Sequence, residues 1–323
     1  MKLVSYSNPH PRVGSWHDDV IVDLQRAYSV WLVDNFNDVA AETEAQRMCP
    51  TDMSRFAATW TGRFTELQTI ERYVLDMKDR SDWLFRTGVL VNNSEVRLLP
   101  PVVAPTKVLN CGNSYLGHIL NKADLTGTPH DQVEVPKYPK LSFFKPPSCL
   151  IAHGETIHYP TSSSKWDFEA EFTVIIGKYC QNVEPEDALD YVMGYTIAND
   201  VSDRDIPAVQ GGNTSPPGKG TDTFGPMGPW IVPRETLEGD PDDLAIRGII
   251  NGEVWQDSRT SDLLWPLRDI VSVASKRLSL LPGDVILTGA PPGMGFERQK
   301  YLKSGDVIRI EVEGIGVLEN RVA

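Results

Sequence analysis

The run Lys165-Trp166-Asp167-Phe168-Glu169-Ala170-Glu171 leads directly into Phe172-Thr173-Val174-Ile175-Ile176-Gly177, and few folds accommodate such a junction. Its second half is a short apolar run closed by glycine, as buried strands often are. Its first half alternates acids with apolar residues, and alternate residues of a strand share a face. Asp167, Glu169 and Glu171 are therefore expected to point the same way, at the entry to a strand too apolar for the surface. Carboxylates placed so close repel one another unless a cation or bases stand between them. The alternative is an exposed acidic face, since charge runs are usually solvated. A hard divalent ion such as Mg2+, Mn2+ or Ca2+ takes oxygen ligands of this kind.

Around this junction the 323-residue chain divides in texture, and its length favours one large domain plus a smaller one. The break lies at Leu99-Pro100-Pro101-Val102-Val103-Ala104-Pro105, where repeated proline blocks helix and central strand alike. Residues 1–104 read as a smaller α/β extension: a short strand region, then helices near 38–45 and 64–78, with no catalytic cluster. Residues 105–323 are strand-rich, with strands expected at 172–177, 194–198, 284–289 and 307–312 and helices at 184–192 and 265–280. The class is α+β, β-rich, with a closed or sandwiched β core.

Composition excludes several roles. A net charge of −13 argues against nucleic acid as a partner, though not against an anionic substrate met by a local cation. No apolar run is long enough to span a bilayer, and the first residues lack a signal peptide's apolar core. Cys49, Cys111, Cys149 and Cys180 form no CxxC pair and read as free thiols of a reducing, cytoplasmic protein. There is no glycine-rich nucleotide fingerprint and no G-x-S-x-G elbow.

A second acidic cluster follows a buried strand at Asn199-Asp200-Val201-Ser202-Asp203-Arg204-Asp205. Asp200 would sit at the strand's end, where it could supply a third metal ligand, while Arg204 could be a structural ion pair. An acid-x-acid pair before a strand, followed by D-x-[ST]-x-R-D, resembles the fumarylacetoacetate hydrolase family. Glu169-Ala170-Glu171 and Asp200–Asp205 carry the match. Phe144-Lys145-Pro146, Lys219-Gly220, Asn251-Gly252-Glu253 and Leu287-Thr288-Gly289-Ala290-Pro291-Pro292-Gly293-Met294-Gly295 follow the same order. The resemblance covers residues from about 106 to 323.

It implies the family's mixed β-sandwich roll, a homodimer, and one divalent cation, Mg2+ before Mn2+ or Ca2+, on Glu169, Glu171 and Asp200. It implies catalytic roles for His118 and Lys219 and places Tyr115, Arg204 and Thr288 at a small oxo-acid substrate. Segment 288–295 would be a close-approaching loop at the pocket rim. One departure stands out. The family often shows G-R-N-Y-x-x-H-x-x-E, whose histidine and glutamate activate water. Here Gly112, Tyr115 and His118 match, but Asn121 holds the glutamate's place, leaving Asp124 or Glu155 as substitutes. The leading expectation is a hydrolase cleaving the C–C bond of an acylpyruvate or related 2,4-dioxo acid. An isomerase or decarboxylase on the same substrate class, and a non-catalytic metal-binding protein, are the alternatives.

Overall fold

The computed structural model describes residues 1–160, 162–206 and 217–323. Its centre is the strand Ala170–Ile176, every residue of which is buried, as an unbroken apolar run requires. It pairs antiparallel with Val192–Asn199 on one side and with Val285–Leu287 on the other. Beyond Val285–Leu287 the sheet continues through Val108–Cys111 to Leu141–Lys145. In the other direction it runs through Gly225–Pro233 into Leu3–Ser7, Pro11–Trp16, Val20–Asp23 and Leu90–Asn92. The N-terminal strands thus extend the same sheet, Leu3 pairing with Ile231.

A second sheet is built from Glu253–Arg259, Ala245–Ile250, Val307–Val312, Gly316–Val322 and Thr156–Ile157, in that order. Val307–Val312 alternates buried and half-buried residues, so one face packs inward. Between the two sheets lies a core containing Phe168, Phe172, Tyr195, Ile246 and Ile310. The Phe172 and Tyr195 rings stack with centroids 5.1 Å apart. This is the mixed α/β, sheet-dominated roll the sequence predicts.

Helices cover the other face of the main sheet. Phe64–Leu75 buries Phe64, Leu67, Ile70 and Val74, each worth about 1.5–3 kcal/mol when fully removed from water; of the spacing's expected stripe Tyr73 is half-buried and Met77 lies past the helix end. Together with Phe56 and Trp60 the buried residues share a core with Ile175, Met193, Ile231 and Val285 of the sheet. The expected helix at 184–192 is a correction: the segment holds only a 3-10 turn, Ala188–Tyr191, before the strand begins at Val192. Its amides bond three residues back, Asp187 to Glu184 and Ala188 to Pro185, and the Tyr191 carbonyl is taken by the Gly177 and Lys178 amides, so no four-residue ladder develops. The other predicted helix forms as Leu267–Arg277. No helix among the described residues is long and apolar enough to cross a membrane, and the four cysteines are buried and unpaired.

Candidate active site

The antiparallel register sets Glu171 opposite Ala198 and Ala170 opposite Asn199, so Asp200 emerges beside the acids as its strand ends. The Asp200 amide donates to the Glu169 carbonyl at 3.0 Å, tying the two acidic segments together. One carboxylate oxygen each from Glu169, Glu171 and Asp200 lies within 4.8 Å of the others, and all three residues are buried. Asp167 does not join them. The strand is interrupted at 168–169: Trp166–Asp167 pairs with Ser202–Asp203 in a separate ribbon, and the two-residue alternation is lost. Asp167 instead accepts from the Gly295 amide at 2.7 Å and from Arg204 Nε at 2.9 Å.

Fixed cations surround the three acids. Arg204 Nη2 donates to Glu169 at 2.6 Å, and Lys219 Nζ lies 2.9 Å from the same oxygen while also contacting Asp200. Lys145, almost fully buried, donates to Asp200 Oδ1 at 2.6 Å and to the Lys219 carbonyl. Glu171 is held by neutral donors, Asn110 Nδ2 at 2.9 Å and the Gly289 amide at 2.7 Å. The consequences for ionisation differ. Burial would raise the Glu169 pKa, but Lys219 and Arg204 hold it well below the carboxylate range. Burial pushes the Glu171 pKa well up, and Asp200 and Glu169 push it further. Burial would lower the Lys219 pKa, but Asp200 and Glu169 outweigh it and the pKa is raised. An all-oxygen donor set in which Glu171 is met only by neutral donors suits a divalent cation.

The loop after Val285–Leu287 closes over these acids. Gly289 (φ +95°) and Gly293 (φ +108°) take conformations disfavoured for side chains, and a Cβ would meet Cys111 O at 2.6 Å or Trp255 O at 2.0 Å. Only glycine lets the Gly289 amide reach Glu171. The loop leads into the short helix Gly295–Arg298, and Glu297 on that helix meets His118 of the helix Leu116–Thr126. Glu297 Oε1 lies 2.5 Å from His118 Nδ1, and its other oxygen accepts from Asn121 Nδ2 at 2.9 Å and from the Gly293 amide at 2.6 Å. Such a carboxylate orients the imidazole with its proton on Nδ1, leaving Nε2 able to accept one.

These groups meet at a cavity of about 490 Å3, whose wall includes Asn110, His118, Glu169, Glu171, Arg204 and Lys219. Asp200 lies just behind that wall. Tyr115 and Thr288, expected at the substrate, are not brought to the wall. Tyr115 is buried beneath the helix it precedes, its hydroxyl unpartnered among the described residues. The Thr288 hydroxyl is spent on the Phe172 carbonyl at 2.8 Å. Neither suggested substitute for the missing glutamate reaches His118: Asp124 contacts His130 at 2.7 Å, and Glu155 pairs with Arg97. The reading of residues missed Asn110, Lys145 and Glu297. Lys145 lies within Phe144-Lys145-Pro146, one of the family-like motifs, but nothing in Phe296-Glu297-Arg298-Gln299 separates Glu297 from an ordinary surface acid.

What the cavity offers is cation-binding oxygen, fixed positive charge and an oriented imidazole, the equipment of a metal-assisted acid–base enzyme. Comparison with known proteins gives the lineage. Residues 107–323 match the family model described as fumarylacetoacetate (FAA) hydrolase C-terminal, and the chain belongs to that family. An oxaloacetate tautomerase of Xenopus laevis, described as mitochondrial, is 38% identical over 235 residues, covering 72% of this chain and 70% of the relative. Among solved structures, a 5-carboxymethyl-2-hydroxymuconate delta-isomerase from Mycobacterium smegmatis is 29% identical with a TM-score of 0.69, covering 100% of this chain and 99% of that one. A maleylpyruvate hydrolase from Sphingobium sp. SYK-6, solved with manganese(II) and pyruvate, shares the fold at 24% identity and a TM-score of 0.70, with 100% and 99% covered.

Proposed function

We propose that the chain is a Mg2+-dependent hydrolase that cleaves the C–C bond of an acylpyruvate-like 2,4-dioxo acid. The observation that carries this reading is the His118–Glu297 contact at 2.5 Å, on the wall of the cavity that Glu169 and Glu171 also line. It supplies the histidine–carboxylate pair that Asn121 had put in doubt. A divalent cation on Glu169, Glu171 and Asp200 would polarise the keto oxygen of a bound oxo acid and offset the charge that develops there.

The chain's own residues do the rest. His118 Nε2 takes a proton from water, and Glu297 balances the imidazolium that results. The water oxygen adds to the distal carbonyl carbon. The bond to the neighbouring methylene carbon then breaks, and its electron pair passes into the enolate of the pyruvate half. Lys219, kept charged by Asp200 and Glu169, and Arg204 stabilise that enolate. His118 returns its proton to the methylene carbon, so the products are a carboxylic acid and pyruvate.

A second reading, keto–enol isomerisation of an oxo acid, is favoured by the names of the Xenopus and M. smegmatis relatives. It uses the same imidazole on a C–H proton with no attacking water. Turnover of acetylpyruvate with Mg2+ in doubly labelled water, carrying both 18O and deuterium, separates the two. Hydrolysis places one solvent oxygen in the acetate released. Retention of the carbon skeleton, with only solvent deuterium entering beside the keto group, would reject hydrolysis in favour of isomerisation.

A further inference from the structure

Asp167 belongs to the acidic run that opens the central strand, yet the cation site leaves it out, and it is fully buried. Four donors converge on its carboxylate. Oδ1 accepts from the Gly295 amide at 2.7 Å and the Phe168 amide at 2.9 Å. Oδ2 accepts from the Phe296 amide at 3.1 Å and from Arg204 Nε at 2.9 Å. Two consecutive amides after the glycine-rich loop therefore rest on one carboxylate, one on each oxygen. The approach is close: a Cβ at Gly295 would meet Asp167 Oδ1 at 2.6 Å and the Lys300 carbonyl at 2.5 Å.

Both halves of the site hang from this anchor. Arg204 reaches from Asp167 to Glu169, which its Nη2 meets at 2.6 Å. The guanidinium carbon lies over the Phe296 ring, 4.6 Å from its centroid, and that ring stands perpendicular to the His118 imidazole with centroids 6.0 Å apart. The next residue, Glu297, carries the carboxylate that meets His118 Nδ1. A neutral amide in place of the Asp167 carboxylate would not serve. Whichever way it turned, its NH2 group would face two N–H donors, one of them the amide of Gly295 or Phe296. A buried donor left without an acceptor is costly.

We propose that Asp167 is a positioning residue: it sets Glu297, and through it His118, against the cation site, and it orients Arg204 from the same carboxylate. It lies off the cavity wall and acts only through these neighbours. This rests on the acid–base role given to His118 above and adds to it the group that holds the acid–base pair in register with the three acids.

Two variants of the full-length protein break the contact from opposite sides. Asp167→Asn removes an acceptor, and Gly295→Ala pushes the turn off the carboxylate with every charge retained, so the test survives if the first variant does not fold. Asp23→Asn is the control. Asp23 is an equally buried acid that holds Arg12 and Tyr6 in the extension, and its loss should lower the melting temperature only. A histidine Nδ1–H held by a carboxylate gives a proton resonance far downfield of the amides, readable in cooled, metal-free protein and assigned by its absence from His118→Gln. That resonance should vanish or move upfield in Asp167→Asn and Gly295→Ala and stay in place in Asp23→Asn. Asp167→Asn should lower kcat for acetylpyruvate with Mg2+ about 10²-fold. The double variant Asp167→Asn/Glu297→Gln should fall less than about tenfold below its less active parent, where independent sites would multiply to about 10⁴-fold. A resonance unmoved in the variants that fold, or full multiplication in the double variant, would overturn the role of Asp167. A wild type that does not turn over acetylpyruvate would overturn the hydrolase reading instead, and the resonance would still decide for or against Asp167.

Discussion

Single residues carry the sharpest expectations. Glu297 orients His118, so Glu297→Gln should lower kcat about 10²-fold, within the usual contribution of general acid–base groups, and leave Mg2+ affinity unaltered. His118→Ala should cost at least as much. Steady-state kinetics beside a Mg2+ titration checks both, and a fall in cation affinity would move Glu297 into the metal site. Glu171→Gln tests the cation site: wild-type protein should melt at higher temperature when Mg2+ is added, because a ligand that binds only the folded state stabilises it. The variant should lose that shift and its turnover, while a full shift would remove Glu171 from the ligand set. Lys145 compensates a buried charge and touches no cavity surface. Lys145→Met should destabilise the metal-free protein by about 3 kcal/mol, at the lower end for breaking a buried pair because Lys219 still faces Asp200. Urea unfolding of the metal-free variant measures it.

At the scale of elements, legibility followed the reach of the interactions. The strand expected at 172–177 and the helix expected at 64–78, observed at 170–176 and 64–75, could be read locally, since each buries a pattern written in consecutive residues. Strand alternation groups Glu169 and Glu171 with Asp167 and puts Asp200 at the next strand's end, while the family resemblance implies the set Glu169, Glu171 and Asp200. Gly225–Pro233 could not be read locally. Its prolines argue against a strand deep in a sheet, yet it lies between Leu3–Ser7 and Val192–Asn199, with its pairing irregular between Tyr195 and Ile197. Glu297 was hidden for another reason: its partner is 179 residues earlier, and no local pattern encodes a contact of that span. The helix at 116–126 and the turn at 293–297 therefore act as one unit. In the double variant Asn121→Glu/Glu297→Ala the acid moves to the helix and lies one turn from His118. It should recover at least tenfold of the activity that Glu297→Ala alone loses, within the range of one general acid–base group. Failure to recover would show that the carboxylate must approach from the loop.

For the whole molecule, residues 1–104 are best understood as cover. Among the described residues none before Asn110 lines the cavity, yet Phe56, Trp60 and Phe64 bury Ile175, Met193 and Ile231. The fragment 105–323 should therefore melt lower than the full chain or fail to stay monodisperse, readable by scanning calorimetry and size-exclusion chromatography. An intact, equally stable fragment would show the extension to be dispensable. The pairing of Leu3 with Ile231 has a further consequence. Without the extension, the stretch of Gly225–Pro233 that follows its pairing with Leu150–Ile151 would lose the neighbour it has in Leu3–Ser7, and its free backbone groups could template another chain. With it, the sheet ends at Leu90–Asn92, only three residues, a rim too short to recruit a stranger.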